Sequence, residues 1–240
     1  MPHTTVILAM SADGKITDVA LTAARFGSAN DKSHLEEQVA ASDAILFGNG
    51  TLRAYGTTLR VISPDLVKQR ELQGKPPQPV QIVCSRSREF DPNWRFFQQP
   101  VPRWLLTGQD GDTAEEETAM PFPYAMKDGM FDRTLTTKTT AGEIDWIDAF
   151  QQLETLGIKR LAILGGGKLV ASVLAAGLID ELWLTVCPLI LGGVDAPTPV
   201  EGKGFLADLA PKLELLAVKQ VGQEVFLHYR VDRTGEIILS

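Results

Sequence analysis

Short apolar runs, each closed by a cluster of small or turn-forming residues, recur along most of the chain. Residues 4–10 (TTVILAM) are β-branched and aliphatic and stop at Ser11-Ala12-Asp13-Gly14, which predicts a first strand. Ser28 or Asn30 then caps a helix reaching Ala41, with Leu35 and Val39 four apart on one face. Residues 44–47 (AILF), 80–84 (VQIVC) and 104–107 (WLLT) are continuous apolar runs of the kind found in strands covered on both faces. From 144 to 156 the apolar positions Ile144, Ile147, Phe150, Leu153 and Leu156 recur every three residues, an amphipathic helix stopped by Gly157. Strand 161–164, helix 168–176 and strand 181–187 follow. The last two strands, 213–221 and 224–231, flank Gly222-Gln223, a hairpin signal. Alternating strands and helices that finish in an antiparallel pair predict a mixed sheet with helices on both faces. The stretches 74–79 and 110–118 read as connections too short to link domains, so residues 1–240 are expected to form one domain.

Composition narrows the function classes. The chain has 240 residues, 44% hydrophobic and 22% charged, enough to bury roughly three quarters of its unfolded surface without disulfides. Cys84 and Cys187 lie far apart with no metal-type spacing, which fits a reduced, cytoplasmic setting. A net charge of −7 argues against a broad nucleic-acid or membrane-surface footprint, so an anionic ligand needs a local basic site. The first ten residues lack signal-peptide order, and 161–179 contains three glycines and Lys168, which reads as strand, turn and helix rather than a membrane span.

In open α/β sheets ligands gather beyond the carboxyl ends of the strands. Four such segments are rich in glycine, hydroxyls and charge: 11–15, 48–51, 85–88 and 165–168. Gly165-Gly166-Gly167-Lys168 sits where backbone N–H groups can meet a pyrophosphate at a helix start, or where strand and helix merely pack closely. It is neither a Rossmann first turn nor a P-loop. Ser85 and Arg86 offer a hydroxyl and a guanidinium to an anion such as the NADPH 2′-phosphate, or form a solvated loop. Asp13 in its turn and Asp31 on the first helix each suit a structural role as well as a chemical one. His3, His34 and His228 are too scattered for a metal site, and no hydrolase motif is present. Hydride transfer, which needs a held cofactor, excluded solvent and one proton-handling group, matches this inventory.

The runs Met10-Ser11-Ala12-Asp13-Gly14-Lys15, Ile45-Leu46-Phe47-Gly48-Asn49-Gly50-Thr51, Ile163-Leu164-Gly165-Gly166-Gly167, Pro188-Leu189-Ile190-Leu191-Gly192-Gly193 and Glu201-Gly202-Lys203-Gly204-Phe205 together resemble the reductase domain of the riboflavin biosynthesis protein RibD. The resemblance implies a three-layer α/β/α, dihydrofolate reductase-like fold. It also implies NADPH-dependent reduction of 5-amino-6-(5-phosphoribosylamino)uracil, or a related phosphoribosylaminopyrimidine, to its ribityl form. Ser11, Gly14, Gly48, Thr51, Ser85, Arg86, Thr107, Gly165, Gly166, Gly167, Lys168 and Leu169 are the implied cofactor contacts. Phe26, Arg53, Tyr55, Arg60 and Leu164 are expected on the substrate side, and Asp13 and Asp31 as the proton-handling or substrate-orienting pair; no metal is expected.

The family's usual acidic residue before the glycine run is Leu164 here, its Asp-x-Pro is Tyr55-Gly56-Thr57, and its first-helix arginine falls at Val39; Arg53 or Arg60 is expected to compensate. A pterin reductase, with Asp31 gripping the pterin, and a catalytically silent NADPH-binding module are the other readings. The C-terminal strands and the apolar segment 182–191 point to a homodimer.

Overall fold

Consecutive apolar residues can all be buried in these strands because helices cover both faces of the sheet. The structure, a computed structural model, describes residues 1–109, 129–140 and 143–232. Its elements run β1 (His3–Ser11), α1 (Ala29–Ala41), β2 (Ala44–Gly48), α2 (Asn49–Tyr55), α3 (Pro64–Leu72), β3 (Val80–Cys84), β4 (Arg103–Gly108), β5 (Arg133–Thr137), β6 (Thr139–Thr140), β7 (Glu143–Ile144), α4 (Trp146–Thr155), β8 (Arg160–Ile163), α5 (Gly167–Ala175), β9 (Glu181–Cys187), β10 (Lys212–Val221) and β11 (Glu224–Asp232). The expected acidic connection at 110–118 lies outside the described residues.

Nine strands form one sheet in the order β10-β11-β9-β1-β8-β2-β3-β4-β5. Every pairing from β9 to β5 is parallel, while β11 runs antiparallel to β9 and β10 antiparallel to β11. This is the mixed α/β sheet with a C-terminal hairpin anticipated from the pattern. Alternation within each strand divides the core in two. Val6, Leu8, Leu46, Ile82, Leu106, Leu161 and Ile163 meet α4 and α5 on one face. Ile7, Ile45, Phe47, Val83, Leu105 and Ala162 meet Val39 and Ala40 of α1 and Leu52 of α2 on the other.

Helix α1 starts at Ser28, whose hydroxyl accepts from the N–H groups of Asn30 and Asp31. Its other end is not closed by glycine. Instead Arg70, 1% exposed on α3, donates from Nη1 to the carbonyls of Ala40 at 2.7 Å and Ser42 at 2.6 Å. Helices α2 and α3 are absent from the sequence expectation for a physical reason: α2 buries Leu52 and α3 buries Arg70, so neither shows an apolar stripe. Among the described residues no helix is long and apolar enough to cross a membrane.

Candidate functional site

The turns after β2 and β8 are tied together: Leu164 N–H donates to the Leu46 carbonyl at 3.0 Å, and Gly48 N–H to the Gly165 carbonyl at 3.1 Å. That places Thr51 against the glycine turn. A Cβ at Gly166 would stand 3.5 Å from Thr51 Oγ1, and one at Gly165, whose φ is +107°, would stand 3.3 Å from Leu8 Cδ2. Gly48 and Gly50 have open space where a side chain would be. The result is a backbone cradle beside a hydroxyl and the start of α5, whose first-turn N–H groups have no acceptor within the helix.

Two expected cofactor contacts take different roles. A Cβ at Gly167 would lie 2.3 Å from the Thr198 carbonyl and 2.7 Å from Glu201 Cγ, so the missing side chain serves the approach of the 197–201 loop, and what Gly167 offers the cradle is backbone alone. The Leu169 side chain is 8% exposed within the core, leaving its backbone amide as its sole contribution to the cradle. Lys168 is exposed at the rim.

Ser85 and Thr107 end adjacent strands β3 and β4, and both are buried. The residue that joins them is Arg88, which the sequence reading missed. Its N–H donates to Ser85 Oγ at 3.2 Å, Nε to Thr107 Oγ1 at 3.1 Å and Nη2 to the Gly108 carbonyl at 2.9 Å. Arg88 holds a left-handed φ of +55°, sterically costly for a residue with a Cβ. Arg86 is open, its nearest anion being Glu143 at 3.4 Å. The available signal was the second arginine of the Ser-Arg-Ser-Arg turn.

On the β1 side the two aspartates separate. Asp13 accepts from Ser11 Oγ at 2.6 Å, Leu191 N–H at 3.1 Å and Gly192 N–H at 2.7 Å, and these bonds, led by Ser11, hold its carboxyl down to about 2. An acid so weakly basic does not relay protons near neutrality; Asp13 clamps the 188–193 loop. Ser11, fully buried, spends its hydroxyl on Asp13 and the Lys15 N–H, and so is unavailable as a cofactor ligand. Gly14 has φ +80° and open space where a side chain would be.

Asp31 behaves in the opposite way. Burial pushes its carboxyl upward against a hydrogen bond from the Thr185 side chain, and the neighbouring charge of Glu224 adds to the rise. The carboxylate folds over Gly27, where a Cβ would stand 2.2 Å from Oδ2. Tyr55 crosses from α2 to donate to the Ala24 carbonyl at 2.8 Å, and both Arg25 and Asp31 act on its hydroxyl electrostatically. Phe26 and Arg25, with Leu189 and Leu191, line a cleft of about 250 Å³ next to the loop Asp13 holds. Arg25 is a cation at this cleft that sequence reasoning overlooked. Leu164 packs on the apolar cluster under α1, and Val39 is wholly buried there, so these two positions offer an apolar surface.

Arg60 is misplaced for substrate. Its neighbours Thr57, Thr58 and Val61 bond to the side chains of Gln99, Gln81 and Gln78, which sit at the amino ends of β3 and β4, away from the glycine turns. Arg53 lies on α2 with part of its guanidinium buried.

A mostly parallel sheet whose strand ends form a glycine cradle, with the half-buried Asp31 carboxyl raised by burial on helix α1, defines an α/β fold with a candidate ligand site. The chain belongs to the RibD C-terminal domain family, whose sequence profile matches residues 2–227. It is 26% identical over 232 residues to the 2,5-diamino-6-ribosylamino-4(3H)-pyrimidinone 5′-phosphate reductase of Archaeoglobus fulgidus, covering 97% of this chain and 99% of that one. The protein of the same name from Methanothermobacter thermautotrophicus is 28% identical, with 96% and 98% covered. The riboflavin biosynthesis protein RibD of Escherichia coli is also 28% identical, and this chain spans 59% of its length. In fold it resembles a pyrimidine reductase-like protein of Corynebacterium diphtheriae, with TM-score 0.74, 22% identity and coverage of 96% and 92%.

Proposed function

We propose that this protein is an NADPH-dependent reductase of a phosphoribosylaminopyrimidine, converting the ribosyl group to a ribityl chain. The observation that carries the reading is the convergence of Gly165, Gly166 and Thr51 on one cradle, on the sheet against which helix α1 sets Asp31. The archaeal relatives' name favours the 2,5-diaminopyrimidinone ribotide as substrate, with 5-amino-6-(5-phosphoribosylamino)uracil as its deaminated counterpart. The start of α5 and the Gly165–Gly166 backbone would hold the pyrophosphate, and the turn carrying Arg86 and Arg88 the 2′-phosphate. Bound there, the reduced nicotinamide supplies a hydride. Phe26 and Tyr55 cover the reacting end from solvent, Arg25 meets the substrate phosphate, and Asp31 holds the proton that the acceptor nitrogen takes.

A pterin is the second reading, favoured by the Asp31–Thr185 pair, a buried acceptor facing a hydroxyl. The reading also includes a cytoplasmic homodimer: β10 is an outer strand of the sheet, with Leu213, Leu215 and Val218 all about half exposed or more. Initial rates with NADPH and NADH, each against the diaminopyrimidinone ribotide, the aminouracil ribotide and dihydrofolate, test the assignment. Turnover of a ribotide with a preference for NADPH is expected. Turnover of dihydrofolate alone favours the pterin reading, and tight NADPH binding with no oxidation by any of the three refutes a reductase.

A further inference from the structure

Glu224 opens the last strand beside a hairpin turn, a place where a carboxylate ordinarily faces water, yet it is 3% exposed. Its Oε1 accepts from the Ser28 N–H at 2.7 Å and its Oε2 from the Ser28 hydroxyl at 2.6 Å, with the Cys187 thiol 3.8 Å from Oε1. The thiol keeps its proton and remains a donor, since burial, aided by Asp31 and Glu224, pushes it up to about 12.

Ser28 is also the cap of α1, accepting at Oγ from Asn30 N–H at 3.0 Å and Asp31 N–H at 3.4 Å. Because its own hydrogen is given to Glu224, its lone pairs are left facing the helix. One glutamate on β11 therefore fixes the turn of α1 that carries Asp31, and stands close enough to act on the Asp31 carboxyl through its charge. The groups facing Asp31 are Thr185 and Cys187 from β9, Glu224 from β11 and Tyr55 from α2, with Arg25 beyond the tyrosine.

We propose that Glu224 is a positioning residue for the reduction: through Ser28, whose N–H and hydroxyl it engages, it sets the place of Asp31 on the first turn of α1. This rests on the reading that Asp31 is the proton donor. Opening of the ribosylamine ring breaks the C1′–O4′ bond, passes the N–H proton to O4′ and leaves a C=N bond. With the cofactor bound, its hydride would add to C1′ while the nitrogen takes the proton of the Asp31 carboxyl; the π bond is spent, one C–H and one N–H form, the oxidised cofactor is left, and the Asp31 carboxylate regains a proton from water.

The test pairs carboxyl carbon-13 NMR titration of the whole protein with the pH profile of kcat for the diaminopyrimidinone ribotide. In Glu224→Gln the Asp31 carboxyl is expected to titrate lower than in the unaltered protein, and the alkaline fall of kcat to move down with it. Glu224→Asp, which keeps a carboxylate there, restores both. Ser28→Ala, which removes the hydroxyl between the two and needs no folded Glu224→Gln, is expected to move the Asp31 titration as well. An Asp31 titration unmoved in Glu224→Gln and in Ser28→Ala overturns the proposal. A moved titration with a kcat profile unaltered in Asp31→Asn locates the failure in the donor role of Asp31, and overturns the catalytic part of the proposal with it.

Discussion

A methyl group at position 27 probes Asp31 without replacing that residue. An alanine Cβ would lie 2.2 Å from Oδ2, 2.9 Å from Cγ and 3.2 Å from Cβ of Asp31. Ordinary contact begins near 3.4 Å, so the carboxylate oxygen must retreat by more than 1 Å. The clash is with the end of a side chain that can swing, and Gly27 does not need a left-handed backbone, so folding is largely spared. Removing backbone freedom from the unfolded chain even favours alanine, by about 0.4–1 kcal/mol. A displacement of about 1 Å at a proton-handling group costs on the order of 100-fold in rate, or about 2.7 kcal/mol of barrier. Gly27→Ala is therefore expected to lower kcat about 100-fold, with Tm no lower than in the unaltered protein and NADPH affinity kept within about threefold. Stopped-flow turnover, thermal unfolding and a cofactor titration measure the three quantities. A variant of undiminished kcat would show that the Asp31 carboxyl has no part in the chemistry, and an equal loss of cofactor affinity would show that the clash disturbs the cradle instead.

Four further outcomes are expected. Asp13→Asn loosens the 188–193 loop, and because the carboxyl is held near 2 against an ordinary value of 3.8, the contribution of its charge is complete above about pH 4 and fades as pH falls toward 2. The Tm gap between variant and unaltered protein should accordingly narrow over that window, and a gap independent of pH would refute the clamp. Arg88→Ala should reduce the preference for NADPH over NADH by about tenfold or more in kcat/KM, since a charge-assisted bond of about 1.5–3 kcal/mol is lost. Arg25→Ala should raise KM for the phosphorylated substrate while leaving KM for the dephosphorylated nucleoside unchanged, a comparison in which equal effects would refute the phosphate contact. Arg70→Met, which deletes the donors to Ala40, Ser42 and Pro76, should destabilise the fold by about 2–4 kcal/mol in urea titration, with NADPH affinity unaltered.

The buried strands were legible because most of their positions are apolar, the signature of a sheet covered twice; α4 was legible from the apolar spacing through Phe150 and Leu153, although its buried face also takes Trp146 and Ala149 while Ile147, expected on the stripe, is 43% exposed. β5 was not, since Arg133–Thr137 carries a single aliphatic residue, Leu135. Within the site, Thr51 and the glycine turn were paired correctly from motif order alone. Arg60 was not placeable in that way: the chain beyond α2 turns down the sheet toward Gln78, Gln81 and Gln99, a path set by distant glutamine side chains. Asp13 and Asp31 look alike in sequence, and their opposite shifts come from the Ser11 hydroxyl and two backbone amides for one and burial beside another carboxylate for the other. Glu224 is invisible to any local pattern, because it is buried by Ser28, 196 positions away in the chain.

The order of strands has a consequence for how such proteins diversify. The cradle is built from the ends of β2 and β8, whereas the acid and the groups around it belong to α1, β9 and β11, with β1 between the two sets. Changes can accumulate on the hairpin side, reshaping the surroundings of Asp31, without passing through the strands that build the cradle. A lineage built on this sheet is thereby free to vary one half of the candidate site while inheriting the other unchanged.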